Sequence, residues 1–420
     1  MSDDNKKNWE CLPGEIVTDI FLRLPIKSII ICTSVSKTWR RLIQNPTFIS
    51  THLIHHSNTN HNFLLSRPCL QQHQEFYTLH NEDDPDFTQH TRFDSPFHAP
   101  KSKHYNGTFR VVGMCNGLLC LADDDILTDT NKFFVWNPCV RKFLKLPDPN
   151  ITSFTLGEFT ASIGFGFDPK TNDYKVVMVA TLLHRLHHSR SRPMVAVYSL
   201  STGKWRMFKD HVVPTCAVRG REPQAFVNGA LHWLAWKRTN DRKFHPFVLV
   251  FDLGDEIFRE ISLPEFPGYT RESVEALGIS VSVYGNSIAL FHNGYFSFER
   301  QHFSGCLNIW VMKEYAVASS WTKVLTTIDQ DPGGGVPRAL GYKRNGEVVL
   351  LKDGGQIILW NPESQNIKHL RITGYQYSFV GSYVESLVLL DKSTKGKWFP
   401  SSGFVELIDL LHHTWSQFSC

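Results

Sequence analysis

The chain has 420 residues, 42% of them apolar, 20% charged and 13% aromatic. Such a composition excludes bulk disorder and, at about 150 residues per domain, suits two or three domains or one small domain beside a large one. The net charge is only +4, and scattered Lys and Arg nearly matched by Asp and Glu point to neither a nucleic acid nor a membrane surface as partner.

The apolar pattern changes near residue 50: helical spacing precedes it, and short alternating strands punctuated by Gly, Asn, Asp and Pro follow from about residue 62. Leu12-Pro13 opens the first predicted helix, with proline suited to a first turn. Ile16, Ile20 and Leu24 follow at four-residue steps with Val17 and Phe21 beside them, and Pro25 ends the run. A second segment runs from Ile26 through Ile29, Ile30 and Ile31 to Val35. A third, from Ser36 to Ile43, carries Trp39 and Leu42 and stops at Asn45-Pro46. Three short helices in about 40 residues lie at the lower limit for an adequate core, yet they hold more large aliphatics than one small core hides. Either a partner or the protein's own second domain must cover the excess.

These residues also carry a resemblance. Trp9-Glu10-Cys11-Leu12-Pro13-Gly14-Glu15-Ile16-Val17, then Ile20-Phe21-Leu22-Arg23-Leu24-Pro25, then Val35-Ser36-Lys37-Thr38-Trp39-Arg40 together resemble an F-box, landmark by landmark and in order. The resemblance implies a three-helix module over 9–50 that docks the Skp-family adaptor of cullin-based ubiquitin ligases. Carried over by motif position, the adaptor-binding residues are Leu12, Pro13, Ile16, Ile20, Leu24, Pro25, Val35 and Trp39, with Trp39 as a hot spot.

After a linker over 51–62, the rest repeats. Asn116, Asn172, Asn228, Asn286 and Asn345 stand at turn-like positions between apolar runs, separated by 56, 56, 58 and 59 residues. Asn-Gly between alternating runs is the strongest short hairpin signal, because both residues tolerate positive φ. In phase with them, an aromatic recurs late in each unit at Trp136, Tyr198, Phe251, Trp310 and Trp360. A unit of about 56 residues thus holds two hairpins, the four strands of a propeller blade. Five units are legible. A sixth is expected from a hairpin over 377–390 completed by N-terminal strands near 63–66 and 76–80, which would leave the ring without a free edge. The expected fold is therefore mainly β with a small α domain: a kelch-like propeller of six blades over 63–391, then a tail over 392–420.

Gly164-Phe165-Gly166-Phe167-Asp168-Pro169-Lys170-Thr171-Asn172-Asp173-Tyr174-Lys175-Val176-Val177 resembles the signature of the plant F-box-associated domain. Gly113 to Leu118, Val135-Trp136-Asn137-Pro138 and Val227 to Trp233 resemble its other recurrent strings. The resemblance runs from about residue 60 to 390. It implies an F-box/kelch-repeat protein whose propeller holds a target by a loop face or a central depression.

Motifs for chemistry are weak throughout. Gly164-x-Gly166 lacks the third glycine of a dinucleotide loop and leads into a hairpin. The glycines at 333–335 lack the Lys-Ser/Thr of a phosphate loop. The pairs His55-His56, His187-His188 and His412-His413 are adjacent rather than four apart, and no Cys or carboxylate set completes a metal site; loops explain them better. The basic stretch 184–192 reads as a long loop and a weak candidate for target contact. Cys115 and Cys120, on opposite arms of one hairpin, are expected on no shared face and as free thiols. Nine cysteines without a Cys-x-x-Cys pair fit a reducing compartment, which leaves the sequons at Asn106 and Asn150 unused. No apolar run approaches the ~20 residues of a bilayer span, and the polar start lacks a secretory apolar core.

The expected function is a non-catalytic receptor subunit of a Skp-cullin-F-box ubiquitin ligase, without cofactor or metal. Its partners would be the Skp-family adaptor, the cullin core indirectly, and a target whose contact residues are unknown. It would work in cytoplasm or nucleus. Two alternatives stand beside it: a propeller enzyme of oxidase or glycosidase type, and an F-box scaffold outside any cullin ligase. A short helix over 405–411 is expected in the tail.

Overall fold

Helix α1 (Gly14–Leu22) starts directly after Pro13, whose carbonyl accepts from the Ile16 N–H at 3.0 Å. Pro25 plays the same part before α2 (Ile26–Val35). Ser36 caps α3 (Lys37–Ile43), its hydroxyl oxygen accepting from the Trp39 N–H at 3.1 Å. The chain does not pass into a linker there. Asn45 accepts from the Thr47 N–H, Pro46 takes the first helical position, and α4 (Pro46–Ser57) runs across most of the expected 51–62 linker. His55 and His56 therefore sit on a helix, not a loop, and the ring of buried His52 stacks on His56 at 4.2 Å. Burial, reinforced by the neighbouring His56, holds His52 down to a pKa of about 4. The computed structural model describes residues 13–57, 62–69, 74–97, 109–125, 130–149, 151, 157–182, 192–208, 212–218, 220, 224–238, 244–264, 278–293, 306–328, 337–352, 354–374 and 378–392. The readings made on Leu12, Asn106, Asn150, 184–191, 333–335, 405–411 and His412 and His413 lie outside these residues.

Among the described residues after α4, the strands are all antiparallel and one short 3-10 helix (Ala318–Ser320) interrupts them. Five blades are contiguous runs of chain. They are β4 (Arg110–Cys115), β5 (Leu118–Asp125), β6 (Thr130–Asn137) and β7 (Lys142–Lys145), followed by β8 (Phe159–Asp168), β9 (Asp173–Leu182), β10 (Met194–Ser199) and β11 (Lys204–Met207). Next come β12 (Ala217–Val218) and β13 (Ala225–Val227), both against β14 (Ala230–Arg238), then β15 (Phe244–Asp252) and β16 (Phe258–Ser262). The fourth blade is β17 (Gly278–Tyr284), β18 (Ser287–Asn293), β19 (Cys306–Met312) and β20 (Trp321–Ile328). The fifth is β21 (Arg338–Tyr342), β22 (Val348–Leu351), β23 (Gln356–Trp360) and β24 (Ile367–Thr373). The remaining sheet is composite: β1 (Asn62–Cys69), β2 (Gln74–Asn81) and β3 (Gln89–Asp94) are joined by β25 (Val380–Tyr383), which pairs Val380 with Leu65 and Tyr383 with Asn62. The expected 377–390 hairpin is thus a single strand, because the other three strands of this sheet come from the start of the propeller. The innermost strands neighbour one another in a closed ring, β4, β8, β13, β17, β21, β25 and back to β4, so no edge is left at the seam.

The repeat has a physical basis in ties between successive blades. The Trp205 indole N–H donates to the Pro147 carbonyl at 2.6 Å, and that of Trp321 to the Ser262 carbonyl at 2.9 Å. Asn116 donates to the Tyr174 hydroxyl and Asn228 to the Asn286 carbonyl. The recurrent aromatics all fall on the third strand of a blade. The recurrent asparagines divide. Asn116, Asn172 and Asn228 adopt φ of 51 to 53°, whereas at the other two turns the positive φ falls to Gly285 and Gly346. Cys115 and Cys120 are buried free thiols, but they share one face and one core. In a hairpin that pairs Cys115 with Leu118 and Gly113 with Cys120, residues 113, 115, 118 and 120 all point the same way.

Candidate functional site

The α helices present two sides. One side is a core shared with the propeller: Phe21, Ile26, Ile29, Ile43, Phe48 and Ile49 pack with Leu387 and Leu390, which follow β25. Cys139 and Val140, in the turn between β6 and β7, pack against it. Asn137 supports that seat by donating to the carbonyls of Ser386 and Val388 at 2.9 and 2.8 Å. The other side carries apolar side chains with nothing over them: Ile16 is 48% exposed, Ile20 44%, Ile31 42% and Val35 62%. Part of the excess aliphatics is thus covered by the propeller, and Ile16, Ile20, Ile31 and Val35 stay exposed.

Of the residues read as docking anchors, Ile16, Ile20 and Val35 lie on this open face, and Pro13 and Pro25 are exposed beside the helix starts. Leu24 and Trp39 do not stand out from it. Leu24 packs against the internal core, and Trp39 lies half-buried with its ring edge-on to Phe21 at 5.1 Å. Two features escaped the sequence reading. Ile31 sits one helical turn before Val35, a spacing that marks it as facing the same way. A groove of about 760 Å³ runs between α1 and α3, lined by Pro13, Gly14, Glu15, Thr18, Asp19, Leu22, Thr38 and Leu42. Gly14, Thr18 and Leu22 stand four apart on one helix face. Asp19 forms an exposed ion pair with Arg23 at 3.0 Å.

In the propeller the signature string is structural. A Cβ added to Gly164 would stand 2.5 Å from the Trp233 ring, and one on Gly166 would stand 2.4 Å from Phe226. The blades approach too closely there for any side chain. Gln224 reaches past β8, donating to the Phe165 carbonyl at 3.2 Å and abutting Gly113 of β4. His232 is buried and bonded by both ring nitrogens, to the Ala225 carbonyl and the Tyr315 hydroxyl, and burial holds it down to a pKa of about 4. Among the described residues no cluster of three or more His, Cys, Asp or Glu is arranged to hold a metal.

Comparison with known proteins fixes the family. Residues 9–51 match the F-box domain and residues 70–390 the F-box associated beta propeller domain. The chain is an F-box protein. F-box protein At3g07870 of Arabidopsis thaliana is 28% identical over 410 residues, covering 87% of this chain and 88% of that one. F-box protein CPR1 of the same plant is 28% identical, covering 90% and 89%, and F-box/kelch-repeat protein At3g23880 is 23% identical, covering 83% and 87%. Among solved structures, the β-propeller domain of the Trilobed protease from Pyrococcus furiosus covers 75% of this chain and 80% of its own at 10% identity and a TM-score of 0.35. An α-L-arabinanase from Penicillium chrysogenum covers 61% and 79% at 10% identity and 0.39. In this F-box protein the F-box match ends inside α4, whose remainder leads to the propeller.

Proposed function

We propose that this F-box protein is the target-recognition subunit of a Skp-cullin-F-box ubiquitin ligase, working in cytoplasm or nucleus. The observation that carries the reading is the open apolar face of Ile16, Ile20, Ile31 and Val35 on a module whose opposite face is already buried. An adaptor groove that takes up these four side chains gains roughly 1.5–3 kcal/mol for each one fully buried. The module grips the propeller at the β6–β7 turn and residues 387–390, and the target binds a propeller surface outside that seat. The protein itself performs no chemistry. It raises the concentration of its target beside the ubiquitin-charged enzyme brought by the other subunits.

The test is co-purification of the full chain with a Skp-family adaptor and cullin, alongside Ile20→Asp/Val35→Asp. Wild type should recover both partners, and the variant, folded by circular dichroism, should lose adaptor affinity by at least about 100-fold, since burial of the two side chains, at roughly 1.5–3 kcal/mol each, is lost. Recovery of adaptor without cullin would indicate a scaffold outside the ligase. Recovery of neither by folded wild type would sink the proposal.

A further inference from the structure

The groove between α1 and α3 is lined by apolar Leu22 and Leu42 and by two carboxylates, Glu15 and Asp19, the second of them in the exposed ion pair with Arg23. The last described residues run close to it. Gln44, which ends α3, donates from Nε2 to the Leu390 carbonyl at 3.4 Å. Lys142 Nζ donates to the carbonyls of Leu390 at 2.7 Å and Lys392 at 2.6 Å. The chain is therefore pinned beside the end of α3, two residues beyond Leu42. From Thr38 to Gln44 a helix advances only ~9 Å.

Residues 393–420 continue from that point. After Ser393 and Thr394 they hold two cations, Lys395 and Lys397, and then two large aromatics, Trp398 and Phe399. Trp398 is the sixth residue after Lys392, so an extended tail carries it up to ~20 Å, past the whole length of the groove. The residue types match the groove lining: cations for Glu15 and Asp19, aromatics for Leu22 and Leu42. Tethering sets the effective concentration near millimolar for a short connection, so a modest contact area is enough for occupancy.

We propose that segment 395–399 occupies the α1–α3 groove of the free protein and that adaptor docking displaces it, because both use Pro13 and the α1 surface. The second half rests on the ligase reading above; the first does not. In the free protein the tail covers apolar surface that would otherwise face water. In the complex it is released. A receptor closed ten to one over open binds its adaptor about tenfold more weakly than one without a tail.

Hydrogen exchange of the full chain, without adaptor, separates the two halves. It is compared with a chain ending at Lys392, with Trp398→Ala/Phe399→Ala, and with Lys395→Glu/Lys397→Glu. All these changes lie outside the described fold and leave its contacts alone. Amides of α1 and α3 should exchange several-fold faster in each variant, and a synthetic 393–403 peptide added to the shortened chain should restore the protection. Salt should weaken that restoration. Unchanged exchange in the shortened chain would overturn the proposal, and so would protection that grows with protein concentration, which assigns the groove to a second copy. Adaptor affinity should rise about tenfold on shortening. Faster exchange with unaltered affinity would overturn the displacement step alone. Failure of every form to bind adaptor would overturn the ligase reading and leave the exchange result standing.

Discussion

Lys175 explains why the GFGFDPKTNDYKVV string is shaped as it is. The side chain is 8% exposed and its Nζ lies 2.9 Å from Asp168 and 3.1 Å from Glu256, while donating to the Leu253 carbonyl at 2.7 Å. It thereby joins the β8–β9 hairpin to the next blade. Burial pulls the ammonium down, but the bonds to Asp168 and Glu256 outweigh it and its pKa is raised. Burial pushes Asp168 up, and the bonds from Lys175, Thr171 and the Lys170 N–H outweigh that and leave it lowered. The two signs give one window. The Asp168 contribution is present above the ordinary carboxylate value and is lost as pH falls through the lowered one. The Lys175 contribution is present below the ordinary lysine value and is lost as pH rises through the raised one. Lys175→Met should cost about 3–5 kcal/mol in urea unfolding at neutral pH, because it strands a buried carboxylate. Adding Asp168→Leu should recover much of the loss. An additive double variant would show that the two residues do not act as a pair.

Turns and closing strands set how far the fold could be foreseen. At Gly117 φ is +76°, and an added Cβ would meet the Val384 carbonyl and the Ser386 hydroxyl, both at 2.5 Å. At Gly346 φ is +86° with nothing within 4 Å. Gly346→Ala should therefore cost only the left-handed penalty of about 1–2 kcal/mol. Gly117→Ala should cost about 1–3 kcal/mol more, since the 384–386 backbone that leads to Leu387 and Leu390 must yield. Equal losses in denaturant midpoint would refute the distinction. The blade turns were legible because positive φ is a local demand that Asn and Gly answer locally. The joining of N-terminal strands to the C-terminal end was legible from the need to close the ring, but 377–390 contributes one strand, β25, and not a hairpin, because β3 as well as β1 and β2 comes from the start of the propeller. Helix α4 was missed for a different reason. Phe48, Ile49 and His52 are buried on one side while Ile54 is 68% exposed, so its apolar spacing shows no clean stripe. At the site, motif position treats Ile16, Ile20, Val35, Leu24 and Trp39 alike, whereas the structure leaves the first three exposed and packs the last two, half-buried, against the helical core.

At the scale of the whole molecule, closing the ring and seating the helices are one event. Strand β1 follows α4, and β25 precedes the Leu387 and Leu390 side chains that fill the helical core. Neither pairing of β1 with β25 nor packing of α1 to α4 can be undone without exposing part of the other. The F-box region alone is too small to bury an adequate core, and Leu387, 0% exposed, and Leu390 supply what it lacks. The full chain should therefore melt in a single calorimetric transition with van't Hoff and calorimetric enthalpies in agreement. A chain beginning at residue 58 bares Leu387, Leu390 and the apolar residues around them, a loss of roughly 3–6 kcal/mol at 1.5–3 kcal/mol per large side chain. It should melt several degrees lower and bind more of an apolar dye at room temperature. Two resolved transitions in the full chain, with the later one matching the shortened chain, would mean that the helices are a separate unit hung on a self-sufficient propeller. One transition, shifted on shortening, would mean that the exposed face of the helices is held rigid by the same strand pairing that closes the propeller.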